Sequence, residues 1–193
     1  MTGRAAVIWG WSISIVLVWA LIAVDLQQPV WMRQHSIDLT AYGAFQGRDF
    51  QLPDLWKLIT SQWLHVKFPH MLFNALIIGL VGTALLPRLT LSGTLVLGLL
   101  GGAAGQVAAA VFQPDAYVSG ASQAYLALCG AAIVMLPRRS LGWAAALVGI
   151  GVAVILDLFV SGYAGVKPGH VAPLLIGLAV GAALVFTARR RPA

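Results

Sequence analysis

Glutamate is missing from this chain altogether: of 193 residues only six are acidic, and every one is aspartate. A zinc protease built on paired helix histidines with an intervening glutamate is therefore excluded. Charge of either sign is scarce, at 9% of residues against 60% hydrophobic, which is too little to cover a water-soluble globule. The single cysteine, Cys129, can neither close an internal disulfide nor build a thiolate cluster. The formal charge of +6 comes from residues dispersed between apolar segments and not gathered on one face, so nucleic acid is not an expected partner.

What the chain has in abundance is apolar length. Runs at 6–24, 69–86, 91–112, 121–136, 141–160 and 169–187 approach or exceed the roughly 18 residues a helix needs to cross a hydrocarbon layer ~30 Å thick. The reading is an all-α polytopic membrane protein, one domain over 1–193, with six helices in the lipid bilayer. The first run resembles a signal peptide in following Arg4, but it is too long for one and lacks an A-x-A exit, so it is kept as a true span. Only the stretch from Asp25 to about Phe68 is a long loop. With six spans both ends share a side, and that side carries Arg4, Arg88, Arg138, Arg139 and Arg189 to Arg191 with no acid. The positive-inside rule then places both termini in the cytoplasm, in an inner or plasma membrane. Gly98 with Gly102, Gly101 with Gly105, and Gly177 with Gly181 recur at a spacing of four, which predicts close helix packing. The tryptophans, Trp9, Trp31 and Trp63 among them, read as interfacial anchors.

Polar groups inside such spans are costly enough to need a reason. The candidates are His70, Asn74, Ser122, Gln123, Asp157 and His170, with His65 just outside. The second, fourth and sixth spans enter from the outer face, so His70, Asn74, Ser122 and His170 share one depth. From Ser122 to Leu136 the fourth span provides about 22 Å of helix. If Arg138 and Arg139 hold its lower end at the inner surface, Ser122 lies below the outer surface, reached by irregular backbone tolerated only beside protein or a wet cavity. A submerged hydroxyl facing water needs a base to become a nucleophile, and His170 is the choice. The Ser122 N–H at a helix start, with His70 and Asn74 one turn apart, could hold a developing oxyanion. Gly120 allows the backbone to come close.

These residues resemble the rhomboid family of intramembrane serine proteases over nearly the whole chain. The run DLWKLITSQWLHVKFPHMLFNALIIG is similar to the family's first loop and second helix, with H-x-x-x-N at His70 and Asn74 and an upstream histidine at His65. GASQA resembles the nucleophile motif G-x-S-G through Gly120 and Ser122, and GHVAPLLIG resembles the last-helix pattern through His170 and Gly177. The resemblance implies Ser122 as nucleophile, His170 as base, and an oxyanion hole of His70, Asn74 and the Ser122 amide, with Gly120, Gln123 and His65 in support. It implies cleavage of transmembrane segments of other membrane proteins, from a site opening toward the extracytoplasmic side, without metal or soluble cofactor. Trp56-Lys57 falls where the family often has Trp-Arg and is read as structural. Gln123 and Pro173 stand where the family usually has glycine. Pro173 is expected to cost little because it sits near the first turn of its helix.

Other readings stay open at this stage. Gln123 and Pro173 motivate a catalytically silent rhomboid-like protein that binds client helices, and the short chain suits a rhombosortase-like enzyme acting on C-terminal sorting tails. A zinc site of His65, His70 and His170 is conceivable but lacks a nearby acid as base. A small transporter is disfavoured because no inverted repeat is evident. His65 reads as a loop organiser. Asp157, the one acid within a span, reads as a group solvated at the interface more readily than as a partner of His170.

Overall fold

Inside hydrocarbon a backbone must satisfy its own hydrogen bonds, and a helix does this within one segment. The computed structural model describes residues 3–190, so Arg191 and the extreme ends of the 1–193 domain lie outside the described residues. The helices are α1 (Gly3–Asp25), the short α2 (Lys57–Thr60), α3 (Phe68–Leu85), α4 (Leu91–Phe112), α5 (Ser122–Met135), α6 (Leu141–Phe159) and α7 (Pro168–Arg189). Five are long and apolar enough to cross a membrane by length and composition; α5, with 14 residues and about 21 Å, is apolar but short. Local chemistry sets the boundaries. Thr90 and Ser140 cap α4 and α6 by accepting the N–H groups of Gly93 and Trp143, and Pro69 and Pro168 occupy first turns where a missing N–H costs nothing.

The short helix is the centre of the bundle. Every residue from Ser122 to Ala132 is buried, and α5 packs against α3, α4, α6 and α7. A helix apolar on all sides belongs in such a place. Small residues allow the approach: a Cβ on Gly101 of α4 would come 2.5 Å from the Cβ of Ala127, and one on Gly177 of α7 would collide with the Ala127 carbonyl. Gly101, Gly105, Gly177 and Gly181 thus mark α5's contacts with its two neighbours, whereas Gly98 faces the Trp11 ring of α1 and Gly102 the Gln62 side chain.

Tryptophan placement corrects the sequence reading. Trp31 is 73% exposed, but Trp19 and Trp11 belong to the core, Trp9 lies over Gly79 of α3, and Trp63 donates its indole N–H to Ser14 of α1 at 2.8 Å. Most of these rings pack α1 onto its neighbours, a role the sequence reading did not give them.

The long loop is also more ordered than its polarity suggests. Phe45–Gln46 (β1) pairs antiparallel with Tyr117–Val118 (β2), Phe45 opposite Val118. The Arg48 N–H donates to the Pro114 carbonyl at 3.0 Å, and Gly47 rests so closely on the Ala110 carbonyl that no side chain would fit. The first loop is thereby fastened to the α4–α5 connection, four residues before Ser122.

Candidate active site

Ser122 is the first residue of α5, so its N–H is among the amides that no carbonyl of its own helix can reach. The backbone leading to it is fixed from three sides. Gly120 has φ +110°, a left-handed conformation that disfavours any Cβ, while the nearest atoms to such a Cβ are 3.9 Å away. The glycine is thus required by backbone conformation and not, as expected, by close approach. Its N–H donates to the Ser61 carbonyl at 2.9 Å, and its carbonyl accepts from the Gln106 amide at 3.2 Å.

The third anchor is His65, in the loop ahead of α3 and only 2% exposed. Its Nε2 lies 3.2 Å from the Ala121 N–H, which can only donate, so Nε2 is an acceptor and Nδ1 carries the proton. Nδ1–H then donates to the Trp63 carbonyl at 3.1 Å. The same logic orients Asn74, whose amide nitrogen, 2.9 Å from Nε2, must be the donor. Burial first, and the His70 imidazole second, push the His65 pKa down to about 3, which keeps this acceptor neutral.

On the other side, His170 is in the first turn of α7. Its Nε2 is 2.9 Å from Ser122 Oγ and its Nδ1 is 2.7 Å from Asp157 Oδ2 on α6. Asp157 is not solvated at an interface. It is 1% exposed, accepts the Lys167 backbone N–H at 3.0 Å and has Lys167 Nζ 3.8 Å from its other oxygen. Sequence reading missed this because depth along α6 says nothing about which way the loop before α7 folds.

Gln123 is buried next to Ser122, its side chain packed over Gly105 of α4. Its Oε1 lies 3.1 Å from Ser122 Oγ, so the one hydroxyl proton has two acceptors in reach, Gln123 Oε1 and His170 Nε2. Pro173 is the sixth residue of α7, beyond the first turn, so it removes the N–H that would have bonded Gly169. The freed Gly169 carbonyl faces Gly105 of α4, and the substitution therefore costs a helix bond that the sequence reading had discounted.

His70, Ser122, Gln123 and His170 line one cavity of about 130 Å³, room for a few waters. A second, of about 440 Å³, shares His70 and His170 and lies between α3 and α6, with Phe73, Leu156 and Val160 on its walls. Asn74 lines neither: it sits behind His70 with one amide proton committed to His65 and its Oδ1 buried without a partner. Of the three histidines weighed as a zinc set, His65 and His170 have both ring nitrogens engaged by protein atoms. Two contributors were not singled out from sequence, Ser61 and Gln106. Gln106 carried the same signal as the rest, a fully buried amide inside an apolar span.

Chemically, a hydroxyl beside an imidazole, an open helix N-terminus and a small cavity are the parts of acyl transfer. The family model of the rhomboid domain matches residues 52–191. Rhomboid protease GluP of Bacillus subtilis (strain 168) is 34% identical over 151 residues, which cover 76% of this chain and 29% of that protein. The chain thus spans less than a third of that relative's length.

Proposed function

This chain belongs to the rhomboid family, and from that premise we propose that it is an intramembrane serine endopeptidase working through Ser122 and His170. The observation that carries the proposal is the 2.9 Å contact between Ser122 Oγ and His170 Nε2, groups borne by separate helices. In this reading His170 Nε2 takes the Ser122 proton as Oγ attacks the scissile carbonyl carbon. The tetrahedral oxyanion is held by the Ser122 N–H and His70, with Asn74, outside the cavity, supporting them through its bond to His65. His170 then returns its proton to the leaving amine, and an acyl-enzyme on Ser122 remains. Water, deprotonated by the same imidazole, attacks the ester and releases the new carboxylate.

The substrates are transmembrane segments of other membrane proteins, reaching the site laterally. The cavity between α3 and α6 supports this route, because it sets the apolar side chains of Phe73, Leu156 and Val160 beside His70 and His170. The same proposal takes the described helices as one domain of six spans in an inner or plasma membrane, with both termini cytoplasmic. The site then opens toward the extracytoplasmic side. The shortness of α5 fits that arrangement, since a helix of about 21 Å tied to the inner surface starts well inside a ~30 Å layer.

The test uses an alkyl fluorophosphonate, which captures only an activated serine, on the detergent-solubilised protein and in liposomes with a transmembrane substrate. The wild type is expected to be labelled and to cleave, and Ser122→Ala and His170→Ala to do neither. Labelling that survives Ser122→Ala would refute the assignment. A wild type that binds transmembrane peptides but resists the probe would favour the silent, client-binding reading instead.

A further inference from the structure

A serine next to an imidazole is only half of a base: a neutral imidazole has one proton and two nitrogens, and the wrong tautomer points N–H at the hydroxyl. What lies on the far nitrogen decides. Here that is Asp157, and an ionised carboxylate can only accept, so at 2.7 Å it compels Nδ1 to carry the proton. The lone pair is then on Nε2, facing Ser122 Oγ. The carboxylate is itself held. At 1% exposure it accepts the Lys167 N–H at 3.0 Å through the same oxygen that meets His170, while Lys167 Nζ lies 3.8 Å from Oδ1. A buried charge needs such partners, and these orient it as well.

We propose that Asp157 completes a Ser122–His170–Asp157 triad, as the positioning residue that fixes the imidazole tautomer and steadies the imidazolium formed as Ser122 attacks. The inference rests on the proposed function and deepens it. Three helices then each supply one member, α5 the nucleophile, α7 the base and α6 the orienter. Among the described residues, the other titratable or charged groups lining the two cavities that His170 shares are Lys167 ahead of α7, His70 and Lys67 at the head of α3, Tyr125 on α5 and Tyr117 of β2. Each of these either donates or titrates, and none offers a fixed anionic acceptor to Nδ1.

The purely structural alternative is that Asp157 ties the loop before α7 to the end of α6. Asp157→Asn separates the two, because a carboxamide keeps the shape but not the charge: with its oxygen between Lys167 N–H and Nδ1 it still accepts from both yet cannot steady an imidazolium, and with its NH2 there it forces the proton onto Nε2 and gives up the Lys167 N–H. Asparagine at the equivalent place in a soluble triad costs about 10⁴-fold in turnover. In this membrane site Asp157→Asn is expected to slow fluorophosphonate labelling of Ser122 by at least ~100-fold, with substrate KM nearly unchanged and kcat carrying the loss. In parallel, ¹⁵N NMR of histidine-labelled wild-type protein should show His170, assigned with His170→Gln, protonated on Nδ1. This second measurement needs no variant of the carboxylate. Labelling of Asp157→Asn within about threefold of wild type, or His170 protonated on Nε2 in the wild type, would overturn the triad and leave the Ser122–His170 reading standing. A wild type unreactive to the probe would count against the proposed function, while the tautomer would still decide whether Asp157 orients the ring.

Discussion

The two halves of the site are built to different standards. On the Ser122 side, the chain before the serine is held by Ser61, His65 and Gln106, the β1–β2 pair adds a fourth tie, and α5 behind it is enclosed by four helices. On the His170 side the imidazole is oriented by one carboxylate, on a helix whose end exposes Ile155, Leu158 and Phe159. The position of Ser122 is secured by redundancy, the orientation of the His170 ring by a single carboxylate beside the larger of the two cavities. Damage should therefore be spread thinly on one side and concentrated on the other.

The strongest challenge to that redundancy is His65→Leu. It keeps the bulk but removes the acceptor for the Ala121 N–H and the Asn74 amide, both buried, at about 1–3 kcal/mol for each donor left unpaired. A fall of several degrees in the thermal midpoint in detergent is expected, together with loss of probe labelling. An unchanged midpoint would mean that the strand pair and Ser61 suffice.

A gentler probe of the same residue is acid. His65 titrates near 6.5 when unfolded and near 3 when folded, so between those values only the unfolded chain takes up the proton. Stability from this group is complete above about pH 6.5, declines as pH falls toward 3 and is flat below. The limiting slope for one proton is about 1.4 kcal/mol per pH unit. Denaturation midpoints measured from pH 7.5 to 4.5 should drop more steeply in the wild type than in His65→Asn, which cannot titrate; parallel curves would rule out His65 as the source.

Gln106→Leu should do much less. It removes the donor to the Gly120 carbonyl but also an amide oxygen that is buried without a partner, so the two changes partly cancel. Labelling within about fivefold of wild type is expected. Against the ~100-fold or greater loss expected for Asp157→Asn, also a single substitution, that result measures the asymmetry directly. Equal losses at the two positions would dissolve it.

How far the chain announced this arrangement depends on which physics writes it. Helix extents were legible to within three residues, because apolar run length and the Pro87 and Pro137 stops are local properties. Ser122 and His170 were legible as a pair because alternate spans entering from one face fix their depth, which is arithmetic on residue counts. Azimuth was not. Whether Asp157 turns inward to His170 or outward to headgroups depends on rotation of α6 against α7, and no spacing within α6 encodes it. The His65 network was hidden for a similar reason: its three partners, Trp63, Asn74 and Ala121, come from different segments, and the tautomer follows only once their atoms are placed. The β1–β2 pairing escaped because two residues per strand leave no alternation to detect.

Gln123 gives a similarly small effect and the one whose sign is most informative. Ser122 has a single hydroxyl proton, and at rest it is divided between His170 Nε2 at 2.9 Å and Gln123 Oε1 at 3.1 Å. Only the first contact leads toward attack. Gln123→Ala deletes the competing acceptor while leaving a residue that propagates the helix and keeps its backbone N–H. Losing a hydrogen bond of net 0.5 to 1.5 kcal/mol in the resting state should quicken labelling by about 2- to 10-fold. If the amide instead turned its NH2 to the oxyanion, the same substitution would slow the reaction, so a decrease would make Gln123 a donor in the transition state. An increase would mean that the Ser122 side, for all its anchors, holds the hydroxyl in place at the expense of part of its reactivity, and that the His170 ring, oriented by Asp157, is the better optimised half.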